Sequence, residues 1–201
     1  MDPKAIVIAK SRLRVATQAL DDLRNCTKYD DFFDRWFIFL AAWKGIYTTL
    51  EQGAKASPQS RQWFGAKKEE RKKDPLLQYL FQARNDEEHG LAQSVAPSEG
   101  QALYAIPDAG VENRKLRLEV DTLTGKQRLL RDDGGPIELI QEHPPGPALQ
   151  TVKGRDKDQY APPMAHLGQT IDMTPIGVAT AGLGYMVALI SEAERLCKPS
   201  P

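Results

Sequence analysis

One stretch limits the folds open to this chain more than any other. Phe32-Phe33-Asp34-Arg35-Trp36-Phe37-Ile38-Phe39-Leu40-Ala41-Ala42-Trp43 is apolar almost all the way round a helical cylinder. A helix without a broad polar face has to be enclosed by other elements. The helix is expected over residues 31–52, with Gly53 as its stop, and its expected place is the centre of a helical bundle. Trp36, Leu40, Trp43, Tyr47 and Leu50 form its clearest stripe. Aromatics at that spacing are read as core rather than as a binding platform, because each buries a large apolar surface.

Three further helices are expected around it. The first spans residues 3–25: Asp2 can cap it, Pro3 suits the first helical position, and Ile6, Ala9, Leu13, Ala16, Leu20 and Leu23 recur at three- and four-residue steps. The third opens at Asp74-Pro75, buries Leu76, Leu77, Leu80, Phe81 and Ala83, and is expected to run to Gln93, with Pro97 beyond it. The fourth starts at Thr174-Pro175 and reaches Cys197, with an apolar stripe of Ile176, Ala179, Leu183, Met186, Val187 and Ile190. Its second stripe, Gly177, Ala181, Gly184 and Ala188, is small. Such a stripe points to a close approach of another backbone, either inside the bundle or across a dimer contact, since glycine inside a helix costs up to about 1 kcal/mol relative to alanine.

Between the second and third helices, residues 57–73 read as a polar connector with one short helix. Arg61, Lys67, Lys68, Arg71, Lys72 and Lys73 stand there against only Glu69 and Glu70, with Trp63 and Phe64 among them. The reading preferred is a solvated face whose aromatics dock on the body. The alternative is a surface in which Lys67, Lys68, Arg71 and Lys72 track a nucleic-acid backbone while an aromatic stacks a base.

After the third helix the periodicity changes from helical to alternating. Leu116, Leu118 and Val120 alternate with polar neighbours over 115–121, Thr124-Gly125 makes a turn, and 127–131 returns as a partner strand. Asp132-Asp133-Gly134-Gly135-Pro136 turns again before a segment at 137–141, and 143–147 and 154–163 read as loops. His143 and His166 are placed in loops, at the surface or as anchors. The expected fold is therefore mainly α: a four-helix up-and-down bundle with a small β-rich insertion between helices three and four. Residues 1–96 supply the first part of the bundle, 101–165 the insertion and 174–198 the last helix.

Twenty-seven basic and 27 acidic side chains give a formal net charge of zero, so any attraction for nucleic acid has to come from a local patch. Cys26 and Cys197 do not make a disulfide framework and point to a reducing, cytoplasmic setting. Three scattered histidines and the lack of a Cys-x-x-Cys spacing give no metal site, and no cofactor is expected. The N-terminal residues carry no leader pattern. Residues 173–191 hold no charge and are barely long enough to span a bilayer of ~30 Å. Without basic flanks or an aromatic belt they are read as a buried bundle helix, so no membrane partner is expected.

The stretch with chemical content is Leu80-Phe81-Gln82-Ala83-Arg84-Asn85-Asp86-Glu87-Glu88-His89-Gly90. Asn85 and His89 are four apart and share a helix face; Arg84 and His89 are five apart and converge less well within one copy. An arginine offers a fixed positive fork to phosphate, an amide orients an oxygen, and a histidine carries a proton near neutral pH. The three acids between them bear on that chemistry. Unless they turn away, they repel a phosphate and favour protonated His89.

In its Arg84, Asn85 and His89, arranged as R-N-x-x-x-H near the end of a bundle helix, the chain resembles the HEPN family. The order of two amphipathic helices, a motif helix and a last helix resembles that family too, whereas the β-rich insertion does not. Where that family carries a tyrosine after the histidine in some toxins, Gly90 stands here. The resemblance implies a homodimer in which two copies of the motif share one cleft, and a metal-independent endoribonuclease. His89 would act as general base on a ribose 2′-hydroxyl, Arg84 would stabilise charge on the phosphorane and Asn85 would position the phosphate, leaving a cyclic 2′,3′-phosphate. It equally implies the other class in that family, a noncatalytic module that binds a nucleotide, RNA or a protein partner.

Overall fold

The structure is a computed structural model that describes residues 1–89, 93–105, 116–120, 127–131, 138–143, 145–154 and 158–197; for residues 88–89 and 101–143 it describes the backbone alone. The chain is mainly helical, with five helices and short strand pairs among the described residues.

Helix α1, Pro3–Asn25, begins where the Asp2 carboxylate accepts the Lys4 N–H at 2.9 Å. Helix α2, Tyr29–Ala54, is the central element expected of it. It packs against α1 and against all three later helices, and Trp36, Phe39, Leu40, Trp43, Ile46 and Leu50 are fully enclosed. The aromatic stripe is thus core. Gly53, however, is not the stop: it lies inside α2, and a Cβ there would sit 2.3 Å from the Ala5 Cβ. Its use is to let α1 approach. Asp2 N–H donates to the Gly53 carbonyl at 3.0 Å, Arg12 donates to the Gly45 carbonyl and to Thr49, and Arg35 faces Asp22. These contacts make α1 and α2 an antiparallel pair.

The connector is more than a short turn of helix. Residues Pro58–Lys73 form α3, capped by the Ser57 hydroxyl, which accepts the Ser60 N–H at 3.2 Å. The short helix expected in the connector is therefore a full one of 16 residues, and five helices stand among the described residues. The sequence masks this because α3 buries only Ser60 and Phe64 and so carries almost no apolar stripe.

Helix α4, Pro75–His89, starts on a buried cap. One oxygen of Asp74 accepts the Leu77 N–H at 2.9 Å and stands 3.0 Å from His166 Nδ1; the other accepts the Leu167 N–H at 2.7 Å. His166 is thereby an anchor, as expected of it. The helix is described to His89 and Gln93 is not helical; where it ends, among residues 90–92, lies outside the described residues.

Helix α5, Pro175–Arg195, is capped by Thr174, whose hydroxyl accepts the Gly177 N–H at 3.0 Å. Lys10 pairs with Glu194 and Arg24 donates to Thr180, so α5 runs antiparallel to α1. Close approaches on α5 fall at Gly177 of the predicted small stripe, where a Cβ would lie 2.5 Å from the Asp172 carbonyl oxygen, and at Gly182 outside that stripe. A Cβ on Gly182 would lie 2.4 Å from Leu80 Cδ1, and the Trp43 indole donates to the Gly182 carbonyl at 2.9 Å. Gly184 instead faces open space and Ala188 is exposed. Helix α5 is the one described helix long and apolar enough to cross a membrane, and its inner face packs on α1, α2 and α4.

Residues 1–97 and 147–201 form one compact unit and residues 98–146 a second. Within the second, β2 (Gln101–Ala105) pairs antiparallel with β5 (Glu138–His143), with a register shift between Leu103 and Tyr104, and β3 (Leu116–Val120) pairs with β4 (Gln127–Arg131). The β3–β4 hairpin follows the predicted alternation; the turns at 124–125 and 132–136 lie outside the described residues. His143 ends a strand rather than sitting in a loop. The division falls earlier than residue 165, the end predicted for the insertion, because residues 152–153, 159–160 and 165–166 pack along α4. There β1 (Val95–Ser98) pairs with β6 (Gly146–Leu149), β7 (Val152–Lys153) with β8 (Gln159–Tyr160), and β9 (Ala165–His166) with β10 (Gln169–Thr170).

Candidate functional site

Two neighbouring residues of α4 meet α2 at two places. Arg84 is half-buried, with its guanidinium carbon 5.2 Å from the centroid of Phe37. Asn85, one position on, faces Lys44, two helical turns further along α2. The Lys44 ammonium donates to the Asn85 carbonyl oxygen, and the Asn85 amide donates to the Gln82 carbonyl oxygen at 3.1 Å. Lys44 also stands 5.2 Å from the centroid of the Phe81 ring. Asn85, Gln82 and Lys44 open onto a cleft of about 320 Å³, closed on the far side by Gly154, Asp158 and Tyr160. His89 is the last described residue of α4, and its side chain lies outside the described residues.

Two of the three intervening acids are turned onto backbone amides. Asp86 accepts the Lys153 N–H at 3.0 Å. Glu87 accepts both the N–H and the hydroxyl of Ser94, and Ser94 in turn accepts the Trp36 indole N–H at 2.8 Å. Glu87 and Asp86 thus clamp Ser94 and Lys153 to the helix, and beside them the Tyr79 hydroxyl donates to the Gln150 carbonyl at 2.8 Å. Burial raises the Glu87 carboxyl above its ordinary 4.5, against the opposing pull of Ser94 and of the Arg84 charge. The side chain of Glu88 lies outside the described residues.

That shift has a sign that can be measured. The folded state holds the Glu87 proton more tightly than the unfolded chain, so Glu87 contributes most below the ordinary carboxylate range and loses stability as pH rises through the raised value. Urea midpoints between about pH 4 and about pH 8 are expected to fall for the wild type relative to Glu87→Gln. Parallel curves would show that Glu87 titrates normally.

The predicted binding quartet Lys67, Lys68, Arg71 and Lys72 does not form an open basic track. Lys67 bonds Glu192 at 3.1 Å, Lys68 pairs with Glu51 and Lys72 pairs with Glu69 at 2.8 Å. Trp63 also donates to Glu192, at 3.0 Å. Burial alone would raise Glu192, but the Trp63 and Lys67 bonds carry its carboxyl below the usual value. Trp63 and Phe64 dock on the body, as the preferred reading had it. Arg71 differs from the other three. No ion pair involves it among the described residues; its guanidinium carbon lies 3.8 Å from the Phe81 centroid and 5.0 Å from that of Tyr47.

Lys44 and Tyr160 were not candidates from the sequence. Lys44 does carry a signal, as the one charge between Arg35 and Glu51 on a helix that is otherwise nearly all apolar. Tyr160 and Asp158 sit in a segment that reads as a plain loop, and only the packing of that segment on α4 brings them to Asn85. Among the described residues no group of three His, Cys, Asp or Glu side chains is placed to hold a metal ion. Comparison with protein-family models, with curated proteins and with solved structures finds no match to this chain.

Proposed function

We propose that the chain is a HEPN-like helical module that binds single-stranded RNA, with Lys44 and Asn85 holding a backbone phosphate. Helices α1, α2, α4 and α5 would supply the up-and-down bundle of that family, and α3 would be an addition to it. The observation that carries the reading is the Lys44 ammonium held against Asn85 at the wall of a solvent-filled cleft. An ammonium and an amide fixed together suit a phosphate oxygen, and the charge-assisted bonds they offer are about twice as strong as neutral ones.

Fluorescence anisotropy of a labelled short single-stranded RNA in EDTA tests this. Lys44→Met keeps the aliphatic stem over Phe81 and removes the charge. It is expected to weaken binding by about tenfold or more, since a bond to a charged group contributes roughly 1.5–3 kcal/mol. The slope of log affinity against log salt should fall by about one, as for one lost phosphate contact. Unchanged affinity and slope in Lys44→Met, or no saturable binding by the wild type, would overturn the proposal.

A second reading, metal-independent cleavage of that RNA, is favoured by one observation: Asp86 and Glu87 are engaged with the backbone of residues 153 and 94. Both carboxylates thereby accept bonds from backbone amides, although Glu87 remains near enough to Arg84 to feel its charge. In a homodimer, Arg84 and His89 of two copies would meet at one scissile phosphate, which a single copy's five-residue spacing does not achieve. Static light scattering checks the dimer this reading needs.

A further inference from the structure

The cleft at Asn85 has a neighbour. A second chamber, of about 140 Å³, is lined by Arg71, Lys72 and Gln78 and shares Phe81, Gln82 and Tyr160 with the first. The two chambers together hold a pattern that a bare phosphate does not require.

Arg71 and Lys44 both lie over the Phe81 ring, at 3.8 Å and 5.2 Å from its centroid, so two cations share one aromatic. Arg71 makes no described ion pair to offset this, and it lines the smaller chamber. The amides on the chamber wall are polarised in opposite senses. Asn85 donates to the Gln82 carbonyl oxygen, which leaves the Gln82 amide nitrogen as a donor. Gln78 donates its amide to the Lys72 carbonyl, which leaves its own oxygen as an acceptor. A phosphate presents acceptors alone and has no use for that oxygen. A nucleobase edge presents a donor and an acceptor side by side, and its flat face stacks on guanidinium and phenol planes.

Tyr160 is placed to be the stacking residue. It sits in β8, opposite Val152 of β7, and a Cβ on Gly154 would come within 3.0 Å of its Cε2. Gly154 therefore leaves room for the ring to lie between the chambers. We infer that the smaller chamber is a base subsite: one unpaired RNA base enters beside Tyr160, Arg71, Gln78 and Gln82 while its phosphate rests on Lys44 and Asn85 next door. This rests on the RNA-binding reading, and it adds to it the group that would set sequence preference.

The test compares binding of a short single-stranded RNA with that of the same ribose–phosphate chain lacking its bases. Wild-type protein is expected to bind the base-bearing RNA about 5- to 150-fold more tightly, the range for one stacked base. Tyr160→Ala should lose that discrimination, weakening on the normal RNA but not on the abasic chain. Tyr160→Phe keeps the ring and should keep the discrimination, which separates lost stacking from a disturbed β7–β8 hairpin. Wild type binding both chains equally, with Lys44→Met weaker on each, would overturn the base subsite and leave the phosphate site standing. Wild type binding neither chain would overturn both.

Discussion

Under the cleavage reading, alanine in place of His89 is expected to reduce RNA cleavage in EDTA by about 10²–10⁴-fold, the usual contribution of a positioned general base. The reaction would release a 2′,3′-cyclic phosphate, because the attacking oxygen is the neighbouring ribose hydroxyl and no water or metal is needed for the first step. Arg84→Ala should fall by roughly 10²–10³-fold, as when one donor to a developing oxyanion is removed. The double variant should lose much less than the product of the two, since groups acting on one transition state are not additive. His89 is fifteen residues along α4 from the helix cap at Asp74, so its loss leaves that cap in place. Arg84 is different, because its guanidinium also packs on Phe37. Arg84→Lys keeps the charge and is the better probe of chemistry if Arg84→Ala unfolds. Cleavage that persists equally in His89→Ala and Arg84→Ala would end the catalytic reading, and RNA binding without any turnover would leave the noncatalytic one.

Trp43→Ala should be the most damaging change to stability. The indole is fully enclosed between α2 and α5 and donates to the Gly182 carbonyl. Emptying so large a buried site costs about 3–5 kcal/mol, and losing the indole bond adds roughly 0.5–1.5 kcal/mol, since the Gly182 carbonyl keeps its bond within α5. A domain has only about 5–15 kcal/mol in all, so the alanine variant sits at the edge of folding. Trp43→Phe retains most of the volume and should lose about 0.5–1.5 kcal/mol through the missing bond. Urea denaturation with an unchanged slope reads both. A loss below about 1 kcal/mol in Trp43→Ala would mean that α5 can close the space, against the tight approach of Gly182 to Leu80. The consequence reaches the cleft, since Lys44 is the next residue on α2.

Much of the helical layout was legible because it is written in period and punctuation. Asp2-Pro3 and Thr174-Pro175 start helices where the caps predict, and Asp74-Pro75 does the same with a cap that also holds Leu167. The central place of α2 follows from its having no polar face. What failed did so for local reasons. Helix α3 was expected, but as a short helix, because it has too few buried residues to show a stripe; the glycines that accept neighbours, Gly53 and Gly182, look in sequence like a stop and a bystander.

The candidate site divides along the same line. Asn85 and Arg84 could be named from residue type and spacing, which depend on one helix alone. That they face different residues of α2, that Asp86 and Glu87 bind backbone amides, and that Tyr160 closes the cleft all depend on segments 41–75 residues away in sequence or on the path of the chain after α4. Sequence by itself determined which helices form, because caps and apolar period act over one or two turns. Tertiary structure alone decided what each polar side chain meets, because a hydrogen bond or an ion pair is set by whichever distant segment packing brings within about 3 Å.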